Sequence, residues 1–134
     1  MARVPTKHEG VKGLLDNLNE ALVILDPSLE VLEWNPAMER LTGVPQADAI
    51  GRSAAAILPL FRDTTLVPLI RRALAGETPD AVELPHSAAR DDRVLWLKAR
   101  CTPWRDGEGA VTGAVAIFTD VSDQQRHALL LLAM

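Results

Sequence analysis

Ala21-Leu22-Val23-Ile24-Leu25-Asp26-Pro27-Ser28, followed by Glu30-Val31-Leu32-Glu33-Trp34 and then Asn35-Pro36-Ala37-Met38, is the stretch on which the reading of this chain turns. Five apolar residues stopped by Asp-Pro-Ser fit a short buried strand and a tight turn, and residues 30–34 alternate as a second strand does. Asn35 offers a side-chain N-cap, and Pro36 stands at the first helical position, where its missing N–H costs nothing. The helix that starts there carries Met38 and Leu41 inward and stops at Gly43, before Pro45. Two strands and a capped helix in immediate succession are therefore expected.

Working outward, residues 46–60 are rich in alanine with Gly51 and Pro59 as punctuation, which predicts one or two short helical turns. Thr65 can cap a longer helix over 65–75, with Leu66, Ile70, Ala73 and Leu74 on one face and Gly76 at its end. From Ala81 the period becomes strand-like. Val82 and Leu84 alternate with polar neighbours, and residues 94–102 put Leu95, Leu97, Ala99 and Cys101 on one face and Trp96, Lys98 and Arg100 on the other. Asp106-Gly107-Glu108-Gly109 signals a hairpin, and residues 110–121 supply the last strand. Segregated strands and helices predict an α+β fold with a mainly antiparallel sheet.

At the ends, residues 1–10 are a polar lead-in interrupted by Pro5 and Gly10. Residues 11–19 carry Val11, Leu14, Leu15 and Leu18 at amphipathic helical spacing. Residues 20–121 form the core, and 122–134 begin a C-terminal helix with Ser122 as its N-cap. The chain ends within that helix, so a piece of a larger protein is expected.

Composition narrows the functional classes. At 134 residues one domain is expected, and with 48% apolar and 24% charged residues it has the material for a core. A net charge of -4 without a dense basic tract argues against direct nucleic-acid binding. Cys101 is the single cysteine, which fits a reducing, cytoplasmic setting. No apolar run approaches the ~20 residues needed to cross a bilayer, and the start lacks a signal-peptide core, so no membrane role is expected of this segment.

Several residues together match a known pattern: the 21–26 run, Val31 to Met38, Leu41-Thr42-Gly43, Ile50-Gly51, Trp96-Leu97, Pro103, the Asp106-Gly107 hairpin, Gly113 and Asp120-Val121-Ser122. Across roughly 14–125 the chain resembles the Per-Arnt-Sim (PAS) family, of the bacterial signalling-protein sensor type. The resemblance implies a five-stranded antiparallel sheet in the order 2-1-5-4-3, a helical block on one face around a small cavity, and flanking N- and C-terminal helices. It also implies a sensory or relay role inside a histidine kinase, cyclic-dinucleotide enzyme or transcriptional regulator, with a covalently linked effector domain.

The residues expected to line the cavity are Leu25, Met38, Leu41, Ile57, Leu66, Ile70, Leu97, Ala99, Cys101, Val115 and Ile117. By resemblance, Asp120 with Ser122 closes the last strand and couples it to the exit helix. Leu14, Leu15, Leu18 and Trp96 are expected at a homodimer interface. A small-molecule ligand is a possible partner, and no cofactor is assigned. Haem is disfavoured because the 65–75 helix has no His, leaving His8, His86 and His127 as surface residues. Cysteine-adduct flavin chemistry is disfavoured because Arg52-Ser53-Ala54-Ala55-Ala56 holds no thiol where the light-sensing relatives carry one. Cys101 reads as a small buried filler. No His/Cys/carboxylate set has metal-ligand spacing, and no catalytic constellation is visible, with Asp16, Glu33, Asp91 and Asp92 read as solvated charges. Trp34 and Trp104 are expected to pack on the sheet. The alternatives to a relay module are a ligand-free dimerisation scaffold and a flavin-binding redox sensor.

Overall fold

The computed structural model describes residues 20–87 and 94–133. The expected N-terminal helix over 11–19, and with it Leu14, Leu15 and Leu18, lies outside the described residues, as do His8, Asp16, Asp91 and Asp92.

The opening stretch folds as its residue types dictate. Strand β1 (Ala21–Leu25) turns at Asp26, whose Oδ1 accepts from the backbone N–H groups of Ser28 at 2.8 Å and Glu30 at 3.0 Å, and strand β2 (Val31–Trp34) returns antiparallel. Helix α1 (Pro36–Thr42) is capped by buried Asn35, whose Oδ1 accepts from Met38 N at 2.9 Å. The same oxygen accepts from Leu22 N at 3.0 Å, and Asn35 Nδ2 donates to Glu20 O at 2.9 Å. One amide side chain thus ties the helix start to β1, which fixes how the helical layer leaves the sheet. Gly43 closes the helix with φ of 76°, a left-handed conformation that glycine adopts without a Cβ penalty.

Two short helices, α2 (Gln46–Ala49) and α3 (Ala54–Ile57), and a 3-10 turn (Pro59–Arg62) follow, as the alanine-rich composition predicts. The link between α2 and α3 runs along the free edge of β2, with Gly51 N donating to Val31 O at 2.8 Å and Val31 N to Arg52 O at 2.9 Å. That edge is covered rather than left open for pairing. Helix α4 (Leu66–Leu74) buries Leu66, Leu69, Ile70 and Ala73, an i, i+3, i+4, i+7 stripe that Leu69 joins, with Leu74 packed against the same cluster partly covered. Its cap differs from expectation too. Thr65 makes no capping bond, whereas Asp63 Oδ1 accepts from Thr65 N at 2.7 Å and Leu66 N at 3.1 Å.

Strands β3 (Val82–Ser87), β4 (Val94–Arg105) and β5 (Val111–Asp120) complete a five-stranded antiparallel sheet in the order β2-β1-β5-β4-β3, and helix α5 (Ser122–Ala133) leaves it. The fold is the expected α+β architecture. β3 stands at the sheet edge and extends past Pro85, which an edge strand tolerates because one side of its backbone has no ladder to supply. His86 is therefore a residue of β3, not the surface residue the sequence suggested.

The helices cover one face. There, Trp34, Phe61 and Phe118 pack in series, with ring centroids 6.3 Å apart for Trp34–Phe61 and 6.0 Å for an edge-to-face Phe61–Phe118 pair. A second, smaller apolar cluster lies on the opposite face, with Leu22 and Ile24 at its centre and Leu32, Trp104, Val115 and Ile117 around them.

Val115 and Ile117 were expected in the helix-facing layer, and the β4–β5 register shows why they are not there. In the body of the hairpin Cys101 pairs with Ala116 and Ala99 with Phe118, while at its tip Arg105 pairs with Val111 and Trp104 with Gly113. Thr112 is the extra residue, a β-bulge. An uninterrupted ladder from Arg105–Val111 would set Val115 opposite Cys101. The bulge moves every later residue of β5 to the other face, so Ala114, Ala116 and Phe118 point to the helices instead. Small Ala114 and Ala116 leave room for α4, which packs across β4 and β5.

Candidate functional site

At the end of β5 the chain turns into α5 through a short series of bonds. Asp120 Oδ1 accepts from Ser122 N at 2.9 Å, an Asx-turn that sets the first residue of the helix. Ser122 Oγ accepts from the backbone N–H of Trp96 at 2.9 Å, and Val121 N donates to Trp96 O at 2.8 Å. Trp96 thus uses both backbone groups on the start of the exit helix rather than on a further strand. Val121 is buried beneath this contact. Asp120 sits opposite Leu97 in the ladder, so the junction also touches the inner layer.

Nine of the eleven residues expected around a cavity share the helix-facing cluster. Leu25, Met38, Leu66, Ile70, Leu97, Ala99 and Cys101 are buried there, and Leu41 and Ile57 pack against it partly covered. Val115 and Ile117 do not join them. The cluster's largest members, Trp34, Phe61 and Phe118, were not among the cavity candidates; Phe118 could have been found only by allowing for the bulge. Trp34 is more than a sheet-packing residue, because its Nε1 donates to Val44 O at 2.9 Å from within the core. Cys101 is a buried free thiol whose pKa is pushed up to about 12 by desolvation, which removes the thiolate needed for nucleophilic or redox chemistry.

On the opposite face Trp96 is 40% exposed, as its alternation predicts, and Val94 beside it is 57% exposed. Trp104 is half-buried in the smaller cluster. Glu20, immediately before β1, accepts there from Arg100 Nη2 at 2.9 Å and from Thr119 Oγ1, joining β1, β4 and β5 across the sheet. These groups are exposed enough that the ion pair contributes little to stability. Along α5, Leu129, Leu130, Leu131 and Leu132 are all exposed, the last at 84%.

Two polar residues read as solvated are not. Glu33 is 6% exposed, paired with Ile24 in the β1–β2 ladder. His86 is also 6% exposed. It pairs with Leu95 and alternates with Leu84, and those two residues are buried in the helix-facing cluster, so its ring lies on that side. Its Nε2 is sealed from solvent with no hydrogen-bond partner among the described residues, and burial lowers its pKa from 6.5. The signal in the sequence was the alternation Val82, Leu84, His86, which continues through Pro85. His127 is exposed on α5. Among the described residues no group of His, Cys, Asp or Glu is arranged to hold a metal ion, and no helix is long and apolar enough to cross a membrane.

This sheet order, with helices on one face and a helix leaving β5, is the arrangement of a PAS domain. The family model described as the PAS fold matches residues 15–126, and the chain belongs to that family. Among characterised proteins it is 28% identical over 116 residues to phytochrome 1 of Selaginella martensii and 26% identical over 121 residues to the probable diguanylate cyclase DgcE of Escherichia coli K12. Each alignment takes in 84% of this chain and 10% of the relative, so the chain spans about a tenth of the length of either. A solved PAS domain from Colwellia psychrerythraea superimposes with a TM-score of 0.67 at 20% identity, over 83% of this chain and 93% of that one. PAS domains as a class are sensory rather than catalytic modules.

Proposed function

We propose that this chain is a signal-relay PAS domain of a larger signalling protein, in which a cue acting on the helix-facing layer changes the setting of α5. The observation that carries the reading is the junction in which Asp120 holds Ser122 and Ser122 holds the Trp96 amide. Trp96 is flanked on β4 by Leu95 and Leu97, both buried in the inner layer. A change of packing there reaches the exit helix through one residue. Coupling of this kind needs a cue that favours one of two arrangements by only ~1–3 kcal/mol.

The domain works as a cytoplasmic homodimer joined covalently to an effector. Exposed Trp96 and Val94 on the sheet and the four exposed leucines of α5 support a self-associating surface, since large apolar side chains grouped on a surface mark interfaces. Leu14, Leu15 and Leu18 extend this interface. The output is that of a histidine kinase, a cyclic-dinucleotide enzyme or a transcriptional regulator. The net charge of -4 supports a domain that does not itself hold nucleic acid.

A second reading, a ligand-free dimerisation scaffold, is favoured by the aromatic series Trp34, Phe61 and Phe118, which occupies the helix-facing layer with protein side chains. A flavin-binding redox sensor is the weaker alternative, since no inward position of β3, β4 or β5 carries an Asn or Gln to read a flavin edge.

Asp120→Ala in the full-length protein separates relay from scaffold. Relay predicts altered output and faster amide exchange in the first turn of α5, with the exchange of β1 and β5 unchanged. Unaltered output alongside a loosened helix start would rule relay out. Native mass spectrometry then distinguishes a retained small molecule from a clean apo dimer.

A further inference from the structure

We propose that His86 is the polar anchor of a binding site for a small, uncharged ligand with an apolar body and a hydroxyl group, seated on the helix-facing side of β3 and β4. The ladder pairs His86 with Leu95 and Leu84 with Leu97, and directly opposed residues share a face. The three leucines are buried in the helix-facing cluster, so the imidazole is the polar side chain among them, and its Nε2 has no hydrogen-bond partner among the described residues. Buried polar atoms in native proteins are paired almost without exception, and each unpaired one asks for a partner.

The chemistry around Nε2 limits what that partner is. The inward positions of β3, β4 and β5 are apolar apart from His86 itself, the neutral thiol of Cys101, Asp120, and Arg105 at the far end of β4, ten residues along the strand from Leu95, where it donates to Gly109 O. Asp120 shares the face through its pairing with Leu97, but it is exposed, two strands away and already occupied with Ser122 N. The buried stripe of α4 that faces the sheet, Leu66, Leu69, Ile70 and Ala73, adds no charge. A charged ligand would lie there without a counter-ion, at a large desolvation cost. Desolvation keeps the imidazole neutral at pH 7, so Nε2 offers either a donor or an acceptor according to tautomer. A hydroxyl satisfies both cases, because it can donate or accept.

Leu95 is 9% exposed and His86 6%, against zero for Leu97 and Ala99 deeper along β4, and Nε2 itself is sealed, so a ligand enters at this end only when the packing over His86 opens, and the aromatic series need not be displaced. Leu95 is followed directly by Trp96, which holds the start of α5. The signalling consequence of binding rests on the relay reading above, but binding itself does not.

Titration of the full chain with phenol and, separately, toluene, followed by nitrogen-15 NMR of the imidazole and backbone amides, tests the site. Phenol is expected to shift the His86 Nε2 signal and the amides of Leu84 and Leu95, and to bind about tenfold or more tightly than toluene, which lacks the hydroxyl. His86→Leu should bring the two affinities together, with the Trp34 indole signal reporting that the core is intact. Should that variant fail to fold, His86→Gln, which keeps a polar atom, should retain a preference for phenol. Equal affinities in the unmodified chain, saturation with phenol without a change at Nε2, or no phenol binding at millimolar concentration would each overturn the proposal. Binding at His86 that leaves every α5 amide unmoved would leave the site standing and overturn the relay reading.

Discussion

Replacing Gly113 with alanine tests a close backbone approach between β5 and β1. A Cβ at this position would lie 2.3 Å from the carbonyl oxygen of Leu25 and 3.3 Å from its carbonyl carbon. Carbon–oxygen contacts in sheets settle at about 3.3–3.6 Å, so the methyl has to retreat by about 1 Å. No flexible side chain can give way, because the obstacle is the backbone of β1, paired with β5 through Leu25 and Ala114. Overpacking of this sort costs about 1–3 kcal/mol, and weakening one or two adjoining ladder bonds adds about 1 kcal/mol, for a total of about 2–4 kcal/mol. Against the ~5–15 kcal/mol that holds a domain together, that is a large fraction. Urea unfolding followed by tryptophan fluorescence reads it directly: with a slope of about 1.5 kcal/mol per molar, the midpoint falls by about 1–3 M. Gly107→Ala is the control, since a Cβ there meets nothing within 4 Å. A Gly113→Ala midpoint within about 0.3 M of the unmodified chain, at unchanged slope, would refute the reasoning.

Three further outcomes are expected. Because burial lowers the His86 pKa from 6.5, the unfolded chain takes up a proton that the folded chain resists; stability is full above about pH 6.5 and falls on acidification by at most about 1.4 kcal/mol per pH unit. His86→Leu should flatten that part of the profile in urea midpoints between pH 7.5 and 5.5, and an unchanged slope would count against a buried neutral imidazole. Cys101, with its thiol raised to about 12 by burial, should react with a disulfide reagent at pH 8 only as fast as the domain opens, accelerating through the unfolding transition; prompt reaction in the native protein would contradict its placement. Phe118→Ala removes the ring that closes the Trp34–Phe61–Phe118 series and should cost about 3–5 kcal/mol, whereas Val115→Ala on the opposite, partly covered face should cost about 1 kcal/mol or less, a difference visible in thermal melts.

What the sequence made legible was set by how local the cause was. Asn35, Pro36 and Gly43 act on their own few neighbours, so the helix they bracket could be read from their chemistry alone. The sheet order followed from the family resemblance, and the face of β4 from plain alternation. The misses had different causes. His86 was expected on the surface, yet β3 runs on through Pro85, which interrupts nothing at the sheet edge, and carries His86 into the inner layer. Thr65 looked like the cap of α4 by residue type, but Asp63, two positions earlier, reaches the free N–H groups first. Glu33 was read by its charge, and its burial on β2 is set by packing that no local pattern announces.

The bulge at Thr112 gives β5 something like a reading frame. Upstream of it and downstream of it, odd- and even-numbered residues exchange roles, so one inserted amino acid decides whether the central strand offers the helices Ala114, Ala116 and Phe118 or Val115, Ile117 and Thr119. Two losses of a single residue, five positions or fewer apart, therefore have different meanings. Shortening the loop at Glu108 changes the length of a turn; removing Thr112 leaves a strand whose local sequence is intact but whose two surfaces have been interchanged, with bulky aliphatic groups presented where α4 has room for alanine. The tip of this hairpin is where the orientation of the last strand, and of the helix that follows it, is decided.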